Sequence, residues 1–226
     1  MKKARIAVLV SGGGTNLQAL LDAQRDGVLQ SGEIVLVVSN NPKAYALQRA
    51  AGAGVETAVW TECGFRLTAE AADGEAARGR SGAEAAAESR PDFEQALGLL
   101  LRERGIELII LAGFMRILSA DFTAAWPNRI LNVHPSLIPA FCGKGYYGLR
   151  VHEEALRRGV KVTGATVHFV NEIPDGGEIL LQRAVEVFPG DTPETLQRRV
   201  MEQAEWIRLP RAAELVSKQI VEGVPS

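Results

Sequence analysis

Two short apolar runs stand out in the sequence, one near the N-terminus and one near the middle. Residues 6–10 and 108–111 are continuously apolar and contain β-branched side chains. Neither run alternates, and unbroken runs of this length are typical of strands that are buried on both faces of a parallel sheet. Further strands are predicted at 34–38, 55–60 and 130–133, and at 162–170, which alternates less cleanly but is rich in strand-forming residues. The stretch 178–187 alternates instead, which predicts a strand with one exposed face that pairs in the antiparallel sense.

Helical spacing fills the intervals between these runs. Leu17, Leu20 and Leu21 share one helix face, and Gly27 follows as a stop signal. Other helices are predicted at 45–51, at 93–105, at 151–158, and at 192–213 after the start signal Asp191-Thr192-Pro193-Glu194. The strand–helix–strand rhythm predicts an α/β fold with a doubly wound, mostly parallel sheet, flanked by helices, and an antiparallel strand toward the C-terminus.

One segment interrupts this rhythm. Residues 69–88 consist almost entirely of Ala, Glu, Gly, Arg and Asp, without a large apolar side chain. The segment is either a solvated helix or a mobile loop, and the glycines at 74, 79 and 82 favour the loop. We treat about 64–89 as an insert.

The composition excludes several classes of protein. Among 226 residues, 25 Lys and Arg stand against 27 Asp and Glu, a net charge of −2, which argues against a nucleic-acid partner. No apolar stretch approaches the ~18 residues of a membrane span, and the start lacks a secretory segment. Cys63 and Cys142 form no disulfide framework, and three histidines share no metal-ligand spacing. We expect a cytoplasmic protein without metal, membrane or nucleic-acid partners.

A glycine-rich turn follows the first predicted strand. Residues 11–16 read Ser-Gly-Gly-Gly-Thr-Asn. Free amides and the helix dipole at such a position attract a phosphate or a carboxylate. The pattern is neither a Walker A loop nor a dinucleotide-binding fingerprint. The alternative is a tight turn that needs glycine for its geometry alone.

Asn132 and His134 end another predicted strand, where ligands of open α/β sheets bind. Residues two apart share a strand face, so an amide donor and an imidazole that titrates near neutrality point to the same side. A histidine that only caps the strand end is the alternative. Asp175 lies in the turn 171–177, which is either an ordinary surface loop or brings this carboxylate against a histidine and raises its basicity.

Segment 112–118 follows the strongest predicted strand. It is either core with one exposed arginine or an apolar wall for a flat heterocycle. His152 and Cys142 are interpreted as structural, because no base or ligand is fixed beside either of them by the sequence.

Four motifs occur in an order and spacing shared with a known family, namely 11–17 (SGGGTNL), 111–118 (LAGFMRIL), 132–137 (NVHPSL) and 175–177 (DGG). They resemble the folate-dependent phosphoribosylglycinamide formyltransferases. The resemblance covers nearly the whole chain apart from the insert. It implies a single formyltransferase domain, 1–226, a Rossmann variant with a phosphate-binding half at 1–105 and a folate-binding and catalytic half at 106–226.

The resemblance also implies the reaction and its residues. A formyl group would pass from 10-formyltetrahydrofolate to the amine of 5-phosphoribosylglycinamide, a step of purine biosynthesis, with small-molecule substrates and no metal. The implied catalytic residues are Asn132, His134 and Asp175. The implied phosphate site is Gly14, Thr15 and Asn16, and the implied ribose contact is Glu205, which an extra residue precedes. The implied folate site is Arg90, Met115, Arg116, Ile117, Leu118 and Asn132.

The expected chemistry needs two donors and a proton shuttle. Asn132 and a protonated His134 would stabilise the oxyanion formed when the amine attacks the formyl carbon. Asp175 would favour the imidazolium, and His134 or a water held by Asp175 would shuttle the proton. Cys142 stands where the family usually has proline.

Three other functions share features of this sequence. A formyltetrahydrofolate hydrolase would carry an N-terminal regulatory domain, and a methionyl-tRNA formyltransferase would need a C-terminal tRNA-binding domain and a basic surface. A non-catalytic nucleotide-binding module could use the same fold. The glycine-rich turn, the charge balance and the implied catalytic residues favour the transferase, as a monomer or a homodimer.

Overall fold

The computed structural model describes residues 2–61, 64–68 and 92–224. The predicted loop at 69–88 and the implied folate contact Arg90 lie outside these residues. The strands are β1 (Ala4–Val10), β2 (Gly32–Ser39), β3 (Glu56–Thr61), β4 (Gly64–Thr68), β5 (Leu108–Leu111), β6 (Ile130–His134), β7 (Val162–Phe169) and β8 (Ile179–Glu186). The α-helices are α1 (Thr15–Arg25), α2 (Tyr45–Gly52), α3 (Phe93–Glu103), α4 (Ala120–Ala124), α5 (Leu149–Arg158), α6 (Pro193–Val200) and α7 (Trp206–Glu222).

The strands form one sheet in the order β4-β3-β2-β1-β5-β6-β7-β8. β3, β2, β1, β5 and β6 pair in parallel, whereas β7 is antiparallel to both β6 and β8. This arrangement confirms the predicted fold class. The chain moves outward from β1 to β2 and β3 on one side and to β5 and β6 on the other, so the loops after β1 and β5 diverge and leave a crevice at their carboxyl ends.

The two faces of the sheet bury different side chains of β1. Ile6, Val8 and Val10 pack in the core that includes α1, α2, α5, α6 and α7. Ala7 and Leu9 pack in the opposite core with α3 and α4. All five side chains are fully buried, which explains why residues 6–10 of β1 are all apolar.

One strand departs from the prediction. β4 lies within the segment treated as an insert, yet it pairs antiparallel to β3 at the edge of the sheet. Phe65 explains this pairing, because its ring contacts Trp60 of β3 and Phe93 of α3, with centroids 4.9 and 5.6 Å apart. The composition of this segment does not predict the strand, because the strand depends on the contact between Phe65 and Phe93 of α3, which lies far along the chain.

The C-terminal helical region also differs from the single helix predicted at 192–213. Thr192 caps α6 by accepting from the backbone N–H of Thr195, as the start signal predicted. A π-helical turn, Met201–Glu205, then separates α6 from α7, and α7 continues to Glu222 because Val216 and Ser217 are still buried. The π-helical turn holds about one residue more than an α-helical turn, and Glu205 is its last residue. No helix in the described ranges has the length and apolar character that crossing a membrane requires.

Candidate active site

A cavity of about 640 Å³ opens beyond the carboxyl ends of β1, β5 and β6. It brings together residues from all of the motifs that the sequence singled out, although they come from separate loops. The predicted site residues that line it are Asn16, Met115, Arg116, Ile117, Leu118, Asn132, His134, Asp175 and Glu205. Gly14 and Thr15 do not line this cavity and belong to the adjoining loop at its rim.

Asn132 is oriented by a histidine that the sequence reasoning did not assign to the site. His168 is its partner across the β6–β7 ladder and is 1% exposed. Nδ1 of His168 lies 2.7 Å from the carbonyl oxygen of Phe169, so this nitrogen carries the proton. In the neutral ring Nε2 is then an acceptor, and it lies 3.1 Å from Nδ2 of Asn132. One N–H of the amide is thereby used, and within the described residues the second keeps its capacity to bind a ligand.

His134 is anchored through its other ring nitrogen. Nε2 donates to the carbonyl oxygen of Phe141 at 2.8 Å, because a carbonyl can only accept. Nδ1 is therefore the nitrogen that can gain or lose a proton, and it lies 3.5 Å from Oδ2 of Asp175. Burial lowers the pKa of His134 below its ordinary value, although the Asp175 carboxylate and the Phe141 carbonyl oppose this effect. Asp175 raises the basicity of His134 as expected, but desolvation has the larger effect, so the pKa lies below its ordinary value.

Asp175 contacts two histidines rather than one. Its second carboxylate oxygen, Oδ1, lies 3.6 Å from Nε2 of His168. The backbone N–H of Gly143 donates to Oδ2 at 2.8 Å. Burial alone would raise the pKa of Asp175, but a hydrogen bond from His168 when its Nε2 carries a proton, the charge of His134 and the Gly143 N–H together hold it below its ordinary value. Asp175 adopts a left-handed backbone with φ 57°, which costs energy in a non-glycine residue and is typical of functional positions.

The turn that carries Asp175 requires glycine for a close backbone approach. A Cβ atom on Gly177 would lie 1.8 Å from the carbonyl oxygen of Phe169. Only a residue without a side chain lets the turn approach β7 closely enough to bring Asp175 to its histidines. A Gly-Gly pair is also common in ordinary surface loops. Here Gly177 is needed to bring Asp175 into the site.

The glycine-rich loop ends in the N-cap of α1. Gly14 has φ 74°, and no side chain caps the helix, so the first N–H groups of α1 keep their capacity to bind an anion. A Cβ on Gly14 would lie 2.6 Å from Cβ of Ala46, which makes glycine necessary here. Ser11 ties this loop to the segment after β5, because the N–H of Met115 donates to its Oγ at 2.9 Å.

Glu205 enters the cavity from the π-helical turn. Nδ2 of Asn16 donates to Oε2 of Glu205 at 2.7 Å, which connects the glycine-rich loop to the C-terminal helices. Glu205 is 6% exposed, and burial raises its pKa to about 7 despite the hydrogen bond from Asn16. Oδ1 of Asn16 is buried without a partner in the described part of the chain. The pair therefore offers acceptors to a ligand that carries hydroxyl donors.

The segment after β5 forms the apolar wall. Met115 and Ile117 are 57% and 69% exposed, whereas Leu118 is buried. The guanidinium of Arg116 lies 4.2 Å above the ring centroid of Phe93, so this arginine is held by a cation–π contact. Exposed apolar side chains around a cavity favour a flat, largely apolar ligand.

The residues interpreted as structural lie behind or beside this cavity. His152 is fully buried, and burial lowers its pKa to about 4. Sγ of Cys142 lies 3.3 Å from the carbonyl oxygen of Pro139, and burial raises the pKa of the thiol. Across the ranges 2–61, 64–68 and 92–224, no three His, Cys, Asp or Glu side chains are grouped as a metal site would need.

Known proteins resemble this chain in sequence and in fold. A phosphoribosylglycinamide formyltransferase of Haemophilus influenzae is 39% identical over 203 residues, which cover 90% of this chain and 82% of that protein. The crystal structure of glycinamide ribonucleotide transformylase 1 from Symbiobacterium toebii superposes with a TM-score of 0.76 at 41% identity, covering 96% of this chain and 88% of that chain.

A human relative is much longer. The trifunctional purine biosynthetic protein adenosine-3 of Homo sapiens is 42% identical over 221 residues, which are 98% of this chain but 19% of that protein. The chain thus spans about a fifth of the length of such relatives. Residues 4–212 match the family model described as formyl transferase. The chain belongs to the formyl transferase family.

Proposed function

We propose that this chain transfers the formyl group of 10-formyltetrahydrofolate to the amine of 5-phosphoribosylglycinamide, giving phosphoribosyl-N-formylglycinamide and tetrahydrofolate. The observation that carries the proposal is the convergence of Asn132, His134 and Asp175 in one cavity whose rim is the glycine-rich loop before the uncapped N-terminus of α1. The names of the relatives support the same reaction. One of them, the Haemophilus influenzae protein, is matched over 82% of its own length.

The first step is attack of the amine nitrogen on the formyl carbon. The C=O π electrons move to oxygen, and a tetrahedral centre with an oxyanion forms. The free N–H of Asn132, which His168 orients, stabilises this oxygen. One preorganised donor of this kind typically lowers the barrier by about 3–4 kcal/mol.

His134 moves the proton through Nδ1. Burial keeps the ring neutral in the free protein, so Nδ1 accepts the proton that the attacking amine loses. The imidazolium then faces Asp175, whose carboxylate stabilises it, and Nδ1–H becomes a second donor in the site. The proton passes to the folate nitrogen as its bond to the former formyl carbon breaks and the carbonyl re-forms. The cycle leaves His134 neutral, without a covalent enzyme intermediate.

The remaining site residues hold the two substrates. The loop ending at Gly14, Thr15 and Asn16 offers amides to the phosphate, and Glu205 with Asn16 offers acceptors to the ribose hydroxyls. Met115, Ile117 and Leu118 provide the wall for the pterin ring. The folate supplies a formyl group that is already activated for transfer.

The test is an absorbance assay of formyl-folate turnover, run with and without the ribonucleotide. Turnover that requires the ribonucleotide supports the proposal. Turnover in water alone would assign a hydrolase, and ligand binding without turnover would assign a non-catalytic module. The variant Asp175→Asn is the negative control, because it keeps the size of the side chain and removes the charge between the two histidines.

A further inference from the structure

The glycine-rich loop is held from behind by the segment that begins helix α2. Three successive carbonyl groups of the loop accept hydrogen bonds from this segment. Nδ2 of Asn41 donates to the oxygen of Ser11 at 3.1 Å, and the backbone N–H of Ala46 donates to Gly12 at 3.1 Å. Nε of Arg49 donates to Gly13 at 2.9 Å.

These bonds determine where the amides of the loop point. In a trans peptide the carbonyl group and the next N–H point in opposite directions. Since the carbonyls of residues 11–13 face α2, the N–H groups of Gly12, Gly13 and Gly14 face away from it. Successive amides that share a direction form a concave anion site. The loop is exposed at Gly12 and Gly13, so an anion can reach it.

Arg49 is the charged member of this set. Besides Gly13, its guanidinium contacts Oε1 of Gln18 at 3.0 Å and lies 5.0 Å from the ring centroid of Tyr45, and both of these neighbours are uncharged. Its positive charge is therefore available to the loop. A charged donor on the Gly13 carbonyl polarises the peptide and strengthens the Gly14 N–H as a donor on the opposite side.

We propose that Arg49 is a positioning residue for the phosphate site, and that it orients and polarises the Gly13–Gly14 peptide from the side opposite the bound phosphate. The identification of the anion as the phosphate of the ribonucleotide rests on the proposed function. The arrangement of the amides does not depend on it.

The first test follows the loop directly. The amide resonances of Gly12, Gly13 and Gly14 are recorded during titration with inorganic phosphate, for the wild type and for Arg49→Met. Loss of one charged hydrogen bond predicts a Kd about ten- to hundredfold weaker in R49M. Equal Kd values, or loop amides that do not respond in the wild type, would overturn the proposal. Arg49→Gln, which is neutral and too short to reach Gly13, gives the same comparison if R49M does not fold.

The second test separates a positioning role from a merely structural one. kcat/KM is measured for the ribonucleotide and for the corresponding riboside, which lacks the phosphate. R49M should lose about ten- to hundredfold with the ribonucleotide and remain unchanged with the riboside. Equal losses with both substrates would contradict the proposal. Arg25→Met is the matched control, because Arg25 is an exposed arginine of α1 whose partners among the described residues are the neighbouring Asp22 and Asp26.

The two proposals fail in different ways. If the wild type turns over neither the ribonucleotide nor the riboside, the proposed reaction is wrong. The phosphate titration still decides whether Arg49 positions the loop.

Discussion

Nδ1 of His134 lies 3.5 Å from Oδ2 of Asp175, and its ring is fixed from the other side by the Phe141 carbonyl. This relationship assigns the proton-transfer role to one nitrogen of one histidine. It also makes the site sensitive to the balance between burial and the nearby carboxylate, which act in opposite directions on the imidazole.

His134→Ala removes the proton acceptor while leaving the glycine-rich loop in place. We expect kcat to fall by about 10²–10⁴, the usual contribution of a positioned general base. The KM for the ribonucleotide should change little, because the phosphate loop does not contact this side chain. Steady-state kinetics with the purified variant measures both parameters, and near-normal turnover would remove His134 from the mechanism.

Asp175→Asn should lower kcat/KM about tenfold or more and move the acid limb of its pH profile. The Asp175 carboxylate raises the pKa of His134 against the effect of burial, so its removal lowers that pKa further. Since neutral His134 is the base, the acid limb shifts toward lower pH. A pH series of kcat/KM for the two proteins shows the shift, and an acid limb at unchanged pH would contradict the assignment.

His168→Leu removes the acceptor that orients the Asn132 amide. We expect kcat to fall about tenfold or more with little change in either KM, because the donor acts on the oxyanion. His168→Gln, whose side-chain oxygen can replace Nε2 as acceptor, should recover part of this loss. If both variants lose activity equally, the ring acts through packing and not through the hydrogen bond at 3.1 Å.

Gly14→Ala should destabilise the protein and disturb the anion site. The left-handed backbone costs about 1–2 kcal/mol with a side chain present, and the new Cβ would lie 2.6 Å from that of Ala46. Gly12→Ala is the matched control, because nothing lies within 4 Å of its Cβ position. Urea unfolding should show a loss of about 1–2 kcal/mol or more for the first variant and a negligible one for the second.

Glu205→Gln should change how stability depends on pH. The folded pKa of about 7 exceeds the ordinary value of 4.5, so the native state binds more protons than the unfolded state between these values. Glu205 therefore makes the free energy of unfolding fall as the pH rises through this interval. The variant lacks this loss, and its stability relative to the wild type should increase by up to about 3 kcal/mol toward pH 8. Urea unfolding at several pH values measures the difference.

The sheet was predictable from the sequence where burial is complete. β5 and residues 6–10 of β1 are apolar at every position because both faces are covered, and this signal is local. β4 was not predicted because its pairing depends on the contact of Phe65 with Phe93, which lies beyond the insert. The π-helical turn was also missed, because an extra residue in a helix leaves no local signature in the hydrophobic pattern.

The sequence predicted which residues line the candidate site better than it predicted their pKa values and contacts. Asn132 and His134 share a strand face, and the Asp175 turn carries the expected glycines, so these residues could be named. His168 is one of several buried polar residues of β7 and becomes informative only when the β6–β7 register places it opposite Asn132. Arg49 acts on a backbone carbonyl, which no sequence motif records. The lowered pKa of His134 depends on burial, which the sequence does not display.

The π-helical turn at Met201–Glu205 means that α7 cannot tolerate the loss of one residue before it. Deleting one residue there would restore regular α-helical pairing, yet every later side chain would rotate by about 100° around the axis. The amphipathic face of α7, including Leu209 and Val216, would leave the core, and Glu205 would no longer meet Asn16. A regular α-helix at this turn would disrupt the packing of α7 and the contact of Glu205 with Asn16. The irregular turn is therefore required by the packing of the rest of the molecule.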